Sequence, residues 1–459
     1  MKRLVILVLI LVLAALAFPI VNLIVGSPET ALASFESDDP QLTAVAHIFA
    51  EKCVNCHTAE YKLPWYANFP VAKGLIEHDI QMGLRTVDMM AHFPPADGEP
   101  VDEVFLAKVE WTTQQDTMPP MRYIALHWDD MLSAQEKETL LDWVADVRAE
   151  HYQVDGVAQA RANEPVQPLP AIETLDIDAQ KAALGDKLFH DKRLSADDTL
   201  SCVSCHALDK GGTDQAPVST GTDDQKGPIN SPTVYNAGFQ FAQFWDGRSV
   251  DLQDQAGGPV TNPIEMGTEW PPILAKLEED PEFMAEFSAL YGELTNENVQ
   301  DAIAEFERTL ITPDSDFDRY MKGDDNAMSE AALRGFAHFK EFGCATCHVG
   351  KVLGGQSYEL MGYRKDYFGK LDRALIPEDN GRYNVTEDER DRHKFKVPTL
   401  LNIEVTYPYF HDASAETLEE AVQVMAEHQS DVILSEAETA DLVAFMKALT
   451  GKYQGEKLE

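Results

Sequence analysis

Positive charge is scarce in this 459-residue chain: 37 lysines and arginines stand against 78 acidic residues, a net charge of −41. Nucleic acid and anionic lipid repel a surface so negative, which excludes partners held through a basic face. Cysteine is scarcer still. The six present all fall in three copies of one pattern, Cys53-Val-Asn-Cys56-His57, Cys202-Val-Ser-Cys205-His206 and Cys344-Ala-Thr-Cys347-His348. No cysteine is left over for a disulfide framework, and three well-separated units lack the paired motifs that complete a zinc tetrahedron. Histidine is missing altogether between His206 and His338. Runs of strand-like alternation are few, so the chain reads as mainly α.

What the cysteines are for follows from their spacing. Two thiols three residues apart form thioethers to the two vinyl groups of one haem, and the adjacent histidine reaches the iron as proximal ligand. Three such units predict three covalently bound haem c groups, with irons held by His57, His206 and His348. Ahead of them, Lys2 and Arg3 precede an apolar run from Leu4 to Val25. At ~1.5 Å rise per residue this run is long enough to cross a ~30 Å hydrocarbon core. The basic pair then stays cytoplasmic. The expectation is a bacterial inner-membrane protein on a single N-terminal anchor, with its haem domains in the periplasm. Ala31-Leu32-Ala33 also offers a cleavage site.

The predicted organisation is therefore a transmembrane helix over 1–26 followed by three cytochrome c-like haem domains, at 27–160, 161–322 and 323–459. The Pro- and Ala-rich stretch "VAQARANEPVQPLPAIE" separates the first domain from the rest. Val299, Ile303, Phe306 and Leu310 mark one helix stripe. Leu333, Phe336 and Phe339 mark another, opened by Ser329 and closed by Gly343. The first and third domains each end in a helix with a capping box, Ser133 with Glu136 and Ser435 with Glu438. Before each capping box stands a methionine able to close the far side of the haem. Met118, presented by Pro119 and Pro120, is favoured over Met121; Met425 shares a stripe with Leu418 and Val422 and reads equally as core or as ligand.

The middle unit differs. Its methionines, Met266, Met284 and Met321, have no evident presentation to the iron, and no histidine is nearby. An iron without a sixth ligand can bind a small oxidant. Peroxide cleavage also needs a group that moves a proton between the two oxygens. Glu265, between Ile264 and Met266, is a candidate, with a capping or surface role as the alternative.

From about Leu169 to Lys452 the chain resembles the bacterial dihaem cytochrome c peroxidases. The match runs through "LSCVSCHALDKGG", "KGPINSPTVYNAGF", "FWDGRSVDL", "QAGGPVTNPIEM", "TLITPDSDFDRYMKGD", "FGCATCHVGKVLGG" and "VPTLLNIEVTYPYFHDASAETLEEAVQVM". The resemblance implies a peroxidatic haem on Cys202 and Cys205 with His206 proximal, Glu265 as acid-base residue, Gln255 as pocket glutamine and Trp245 between the two haems. It further implies an electron-transferring haem on Cys344 and Cys347 with His348 and Met425. A calcium site is implied at Asn230, Thr406 and Pro408, oxygen ligands suited to a hard cation. One departure matters: in many members a histidine caps the peroxidatic iron until the other haem is reduced, and here Thr222, in "STGTDDQKGP", stands in its place. With its extra N-terminal haem unit the whole chain resembles the membrane-bound trihaem quinol peroxidases. That implies hydrogen peroxide as substrate and ubiquinol or menaquinol, or a soluble cytochrome, as donor, and is compatible with a homodimer.

Two other readings of the same residues stand beside this one. The first is a trihaem electron-transfer protein with no chemistry of its own. The second is an oxidase that modifies a partner protein; its known relative uses tyrosine where this chain has Met425.

Overall fold

The computed structural model describes every residue except 1–16, 18, 27, 29, 70, 71, 97 and 98. The described residues fall into two compact units, divided between Tyr152 and Gln153, and their regular structure is mainly helical, joined by long irregular stretches.

The first unit rests on α1 (Pro40–Lys52), α2 (Ala72–Thr86), α3 (Glu103–Gln114) and α4 (Ala134–His151). Asp39, Asp102 and Ser133 cap three of these helices, and Ser133 forms the expected box with Glu136. An aromatic cluster locks them together: Phe49 meets Phe93, Phe105 and Trp143 edge-on at centroid distances of 5.1, 5.8 and 5.9 Å. This is the favoured geometry for ring quadrupoles, and each ring removes a large apolar area from water. Beneath it lies a buried ion group. The Arg148 guanidinium donates to Glu103 at 2.9 Å and to Glu110 at 3.0 Å.

The expected transmembrane anchor is not found. Among the described residues no helix is long and apolar enough to cross a membrane. Most of the apolar run lies outside the described residues. Its tail, residues 19–25, is helical, but Asn22 in that tail is buried. Its amide donates to the Leu126 carbonyl at 2.9 Å and accepts from the Trp65 indole at 3.0 Å. Those polar ties belong to a segment packed on its own domain. The localisation drawn from a single N-terminal anchor is corrected with it.

The second unit repeats one plan twice. In its first half α5 (Ala179–Phe189) crosses α9 (Asn296–Glu307), with α6 (Leu252–Thr261), α7 (Trp270–Glu278) and α8 (Pro281–Tyr291) around them. After α10 (Asp316–Met321), the second half crosses α11 (Glu330–Glu341) with α13 (Glu436–Lys447), and α12 (Leu418–Met425) precedes α13. Each crossing is closed by a glycine. A Cβ on Gly185 would lie 1.8 Å from the Ala302 carbonyl oxygen, and one on Gly335 1.9 Å from that of Asp441. Backbone there touches backbone, so no larger residue fits.

The repeat extends to the loops. Pro232-Thr233-Val234-Tyr235-Asn236 and Pro398-Thr399-Leu400-Leu401-Asn402 each end in a fully buried asparagine at a φ of 61°. Both amides donate to the Thr312 hydroxyl, each at 2.9 Å, which ties the two halves at one buried point. Farther on, Phe244 and Phe410 both take positive φ, and the residues after them, Trp245 and His411, meet edge-on with centroids 6.3 Å apart. Among the described residues strands are confined to two short antiparallel pairs, Tyr358–Leu360 with Lys394–Lys396 and Lys452–Tyr453 with Glu456–Lys457.

Candidate active site

All three cysteine motifs fold into the same single turn. The histidine amide of each donates to the carbonyl of the first cysteine, at 3.2 Å in Cys53–His57, 3.0 Å in Cys202–His206 and 3.1 Å in Cys344–His348. The turn follows directly from α1 in the first motif and from α11 through Gly343 in the third. In the first unit α2 lies on the motif itself, since a Cβ on Gly83 would come within 2.4 Å of the Cys56 carbonyl oxygen. None of the six cysteines is joined in a disulfide. Burial pushes the thiols of Cys53 and Cys344 up to about 12, so neither is held as a thiolate.

The imidazoles are prepared as metal ligands. Nδ1 lies 3.2 Å from the Val87 carbonyl in His57, 3.3 Å from that of Gly212 in His206 and 2.9 Å from that of Leu353 in His348. A ring that donates from Nδ1 to a carbonyl keeps its lone pair on Nε2. Burial lowers the pKa of all three, which keeps them neutral. Paired thiols and a neutral, oriented imidazole are the donor set a covalent haem needs, and the residues fit it.

Around His348 the fit extends to a cavity. It is largely apolar and is bordered by Cys344, Phe339, Leu442, Met446, Met425 and Trp245. Met425 thus faces the same space as His348, at the end of α12. Thr213, Ser231, Pro232 and Thr233 line the same cavity, and Gly212, next to Thr213, holds His206 through its carbonyl. Trp245 is also on the lining, its indole donating to the Asn230 carbonyl at 2.8 Å. Asn230, Thr406 and Pro408 also reach this cavity. Among the described residues no group of three or more His, Cys, Asp or Glu is placed to hold a metal ion. A site of one amide and backbone carbonyls would contain none of these.

Glu265 lies on the tight turn after α6 and is half-buried. Burial raises its pKa, while a hydrogen bond from the Asn262 amide at 2.7 Å and the charge of Arg248 oppose the rise. The Thr222 loop is fastened to this same turn. Thr222 donates its amide to the Glu265 carbonyl at 2.8 Å, and the Gln225 side chain donates to the Pro263 carbonyl at 3.0 Å. A Cβ on Gly221 would lie 2.1 Å from the Ile264 carbonyl oxygen. Gln255 is half-buried on α6, the helix that leads into the turn. In the first unit Met118 is half-buried and Met121 is 70% exposed.

Sequence reasoning missed several groups. Asn262 is one; a polar residue three before a glutamate gave no warning of a side-chain bond. Asp379 is another. Fully buried, it accepts from Arg373 at 2.7 and 2.8 Å and from His411, the ring beside Trp245, at 2.9 Å. Burial alone would raise its pKa, but these bonds outweigh it and hold the carboxyl far below the usual range. Lys396, buried on the wall of the His348 cavity, donates to Gln240, and burial pushes its ammonium down to about 8.

Comparisons with known proteins agree with this geometry. Residues 179–326 match the family described as di-haem cytochrome c peroxidase, and residues 16–146 match a haem-binding domain family. The chain is 47% identical over 405 residues to cytochrome c peroxidase Ccp of Escherichia coli strain K12, covering 87% of this chain and 86% of that one. It is 46% identical over 299 residues to a cytochrome c551 peroxidase of Nitrosomonas europaea, covering 65% and 87%. Among solved structures, a MauG-like protein associated with microbial copper homeostasis superposes with a TM-score of 0.54 at 30% identity, covering 63% of this chain and 93% of that one.

Proposed function

The chain belongs to the di-haem cytochrome c peroxidase family and is an oxidoreductase acting on peroxide, and from that premise we propose how its residues divide the work. Three haems are carried, on Cys53/Cys56, Cys202/Cys205 and Cys344/Cys347. When bound, they supply the iron that relays electrons and, at one site, cleaves the O–O bond. His57 with Met118, and His348 with Met425, would hold two of the irons for electron relay. His206 would hold the third, and Thr222, a poor ligand, stands where a capping histidine would be.

Beside the haem that His206 would hold, Glu265 accepts a proton from hydrogen peroxide and returns it to the departing oxygen, which leaves as water. Gln255 orients the peroxide. Trp245, fixed through its indole nitrogen, bridges the space between the His348 and His206 walls. Asn230, Thr406 and Pro408 bind calcium at the same junction. Electrons enter at the first unit from a quinol or a soluble cytochrome and complete the two-electron reduction to water.

The observation that carries this reading is a half-buried carboxyl of raised pKa, on the same turn to which the ligand-free Thr222 loop is fastened. Ferric spectroscopy of the holoprotein tests it. One high-spin and two low-spin haems are expected, with peroxide turnover from the fully oxidised resting state. Three low-spin haems and no turnover would instead make the chain an electron carrier.

A further inference from the structure

We infer that Glu307 is the proton partner of the haem on Cys202 and Cys205, taking up one proton when an electron arrives there. This goes beyond the peroxide reading and needs from it only that a haem is carried on those two cysteines.

Glu307 stands where an apolar side chain is due. It lies four residues after Ile303 and three before Leu310, on the stripe by which α9 packs into the core of the first half, and it is only 4% exposed. Among the described residues its Oε2 meets neither a hydrogen-bond partner nor solvent. A buried carboxyl left in that state costs stability, so packing does not account for it.

The charges on the elements around it are engaged elsewhere. On its own helix Glu305 pairs with Arg308 at 2.8 Å. On α5, Lys181, Asp186 and Lys187 pair with Asp301, His190 and Glu286. On α6, Asp254 accepts the Val250 amide, and on the C-terminal strand pair Lys452 and Lys457 face Asp314 and Glu404. None of them shifts Glu307: burial alone pushes its carboxyl up, to about 8. Its own charge is felt at Cys202, which packs against the same core and whose thiol is pushed up by burial first and by Glu307 second.

Attachment of the haem leaves this carboxyl unpaired. The thioether edge of a haem is hydrocarbon and the two propionates lie on the opposite edge, so Cys202 brings Glu307 a redox centre and no hydrogen-bond partner. Charge then couples the two. The positive charge of a ferric iron favours the carboxylate, and an electron that cancels it favours the neutral acid. Glu307 therefore gains a proton from solvent with the electron and releases it when the electron passes to peroxide. Reduction of peroxide to water consumes one proton per electron, so protons and electrons balance.

The test is spectroelectrochemical titration of the holoprotein, wild type against Glu307→Gln, at intervals from about pH 5.5 to about pH 9.5. One haem potential should coincide in the two proteins at the acid end, where Glu307 is neutral in both redox states. At the alkaline end, where the wild type carries a carboxylate, that potential should lie higher in the variant. Glu265 and the propionates titrate in both proteins and drop out of the difference, and the other haem potentials should agree at every pH. Glu307→Leu, which suits the apolar stripe, carries the same test should the glutamine variant fail to load haem. Potentials that agree throughout, or differ by the same amount at every pH, would overturn the inference and leave the haem reading standing. A wild-type protein with no haem on the peptide that contains Cys202, read by mass spectrometry, would overturn both.

Discussion

Replacing Asn262 by alanine should move the acid limb of peroxide turnover to higher pH. In its proposed role Glu265 works as a carboxylate in the first step, so activity should fall as pH drops through its pKa. Burial already places that pKa above the ordinary 4.5, and the Asn262 amide at 2.7 Å restrains it by stabilising the charged form. A hydrogen bond to a charged group contributes about 1.5–3 kcal/mol. At ~1.4 kcal/mol per unit this corresponds to about one to two pKa units. Glu265 is only half-buried, so water recovers part of the loss, and a rise of about one unit is expected. The assay is kcat/KM for peroxide against pH with the electron donor saturating. Asn262 also accepts the Ile264 amide at 3.2 Å, so alanine loosens the turn; Asn262→Asp keeps that acceptor, adds a like charge and should shift the limb farther. Glu265→Gln removes the titrating group and should lower the plateau by about 10²–10⁴-fold, leaving haem spectra nearly unchanged. An acid limb that stays in place in both Asn262 variants, or wild-type turnover in Glu265→Gln, would refute the role given to this carboxyl.

Three further outcomes are expected. Asp379→Asn should destabilise the second unit by about 1.5–3 kcal/mol, because the buried charge that Arg373 and His411 share is lost, while Arg373, one-third exposed, keeps Asp412 at 3.0 Å. Asp379 is depressed in the fold, so its stabilising effect is present above the unfolded value near 3.8 and is lost as pH falls toward the folded one; denaturant melts from pH 7 down to pH 2 should therefore converge for wild type and variant. Lys396→Gln should lower the midpoint potential of the haem on Cys344 and Cys347, because it removes a cation from the wall of the cavity that His348 also borders; spectroelectrochemical titration reads the change. Arg148→Ala should cost the first unit about 3–5 kcal/mol in denaturant unfolding, since Glu103 and Glu110 then face each other in a buried site without their cation.

The haem attachment was plain in the sequence because it is local: five residues contain the whole binding turn. The capping boxes at Ser133 and Ser435 were legible for the same reason. Glu265 could be picked out, but not Asn262, because whether two polar side chains three residues apart meet depends on the turn between them. The Asp379, Arg373 and His411 group was beyond reach, since its members are drawn together only by the folded loop beside Trp245. The Pro-Thr-x-x-Asn repeat was present in the letters. It acquires meaning only when Asn236 and Asn402, distant in sequence, are seen to share Thr312. The anchor was misjudged because hydropathy registers the apolar neighbours of Asn22 and not the two hydrogen bonds that hold that residue in the domain.

Gly335 and Gly83 carry one more implication. Each lets main chain rest on main chain next to a haem-bearing turn, the first through the helix that leads into Cys344, the second on Cys56 itself. Bare backbone contact fixes each of these turns against a helix of its own domain, so drift in the surrounding side chains can soften the packing without moving the turn that carries the cysteines and the histidine.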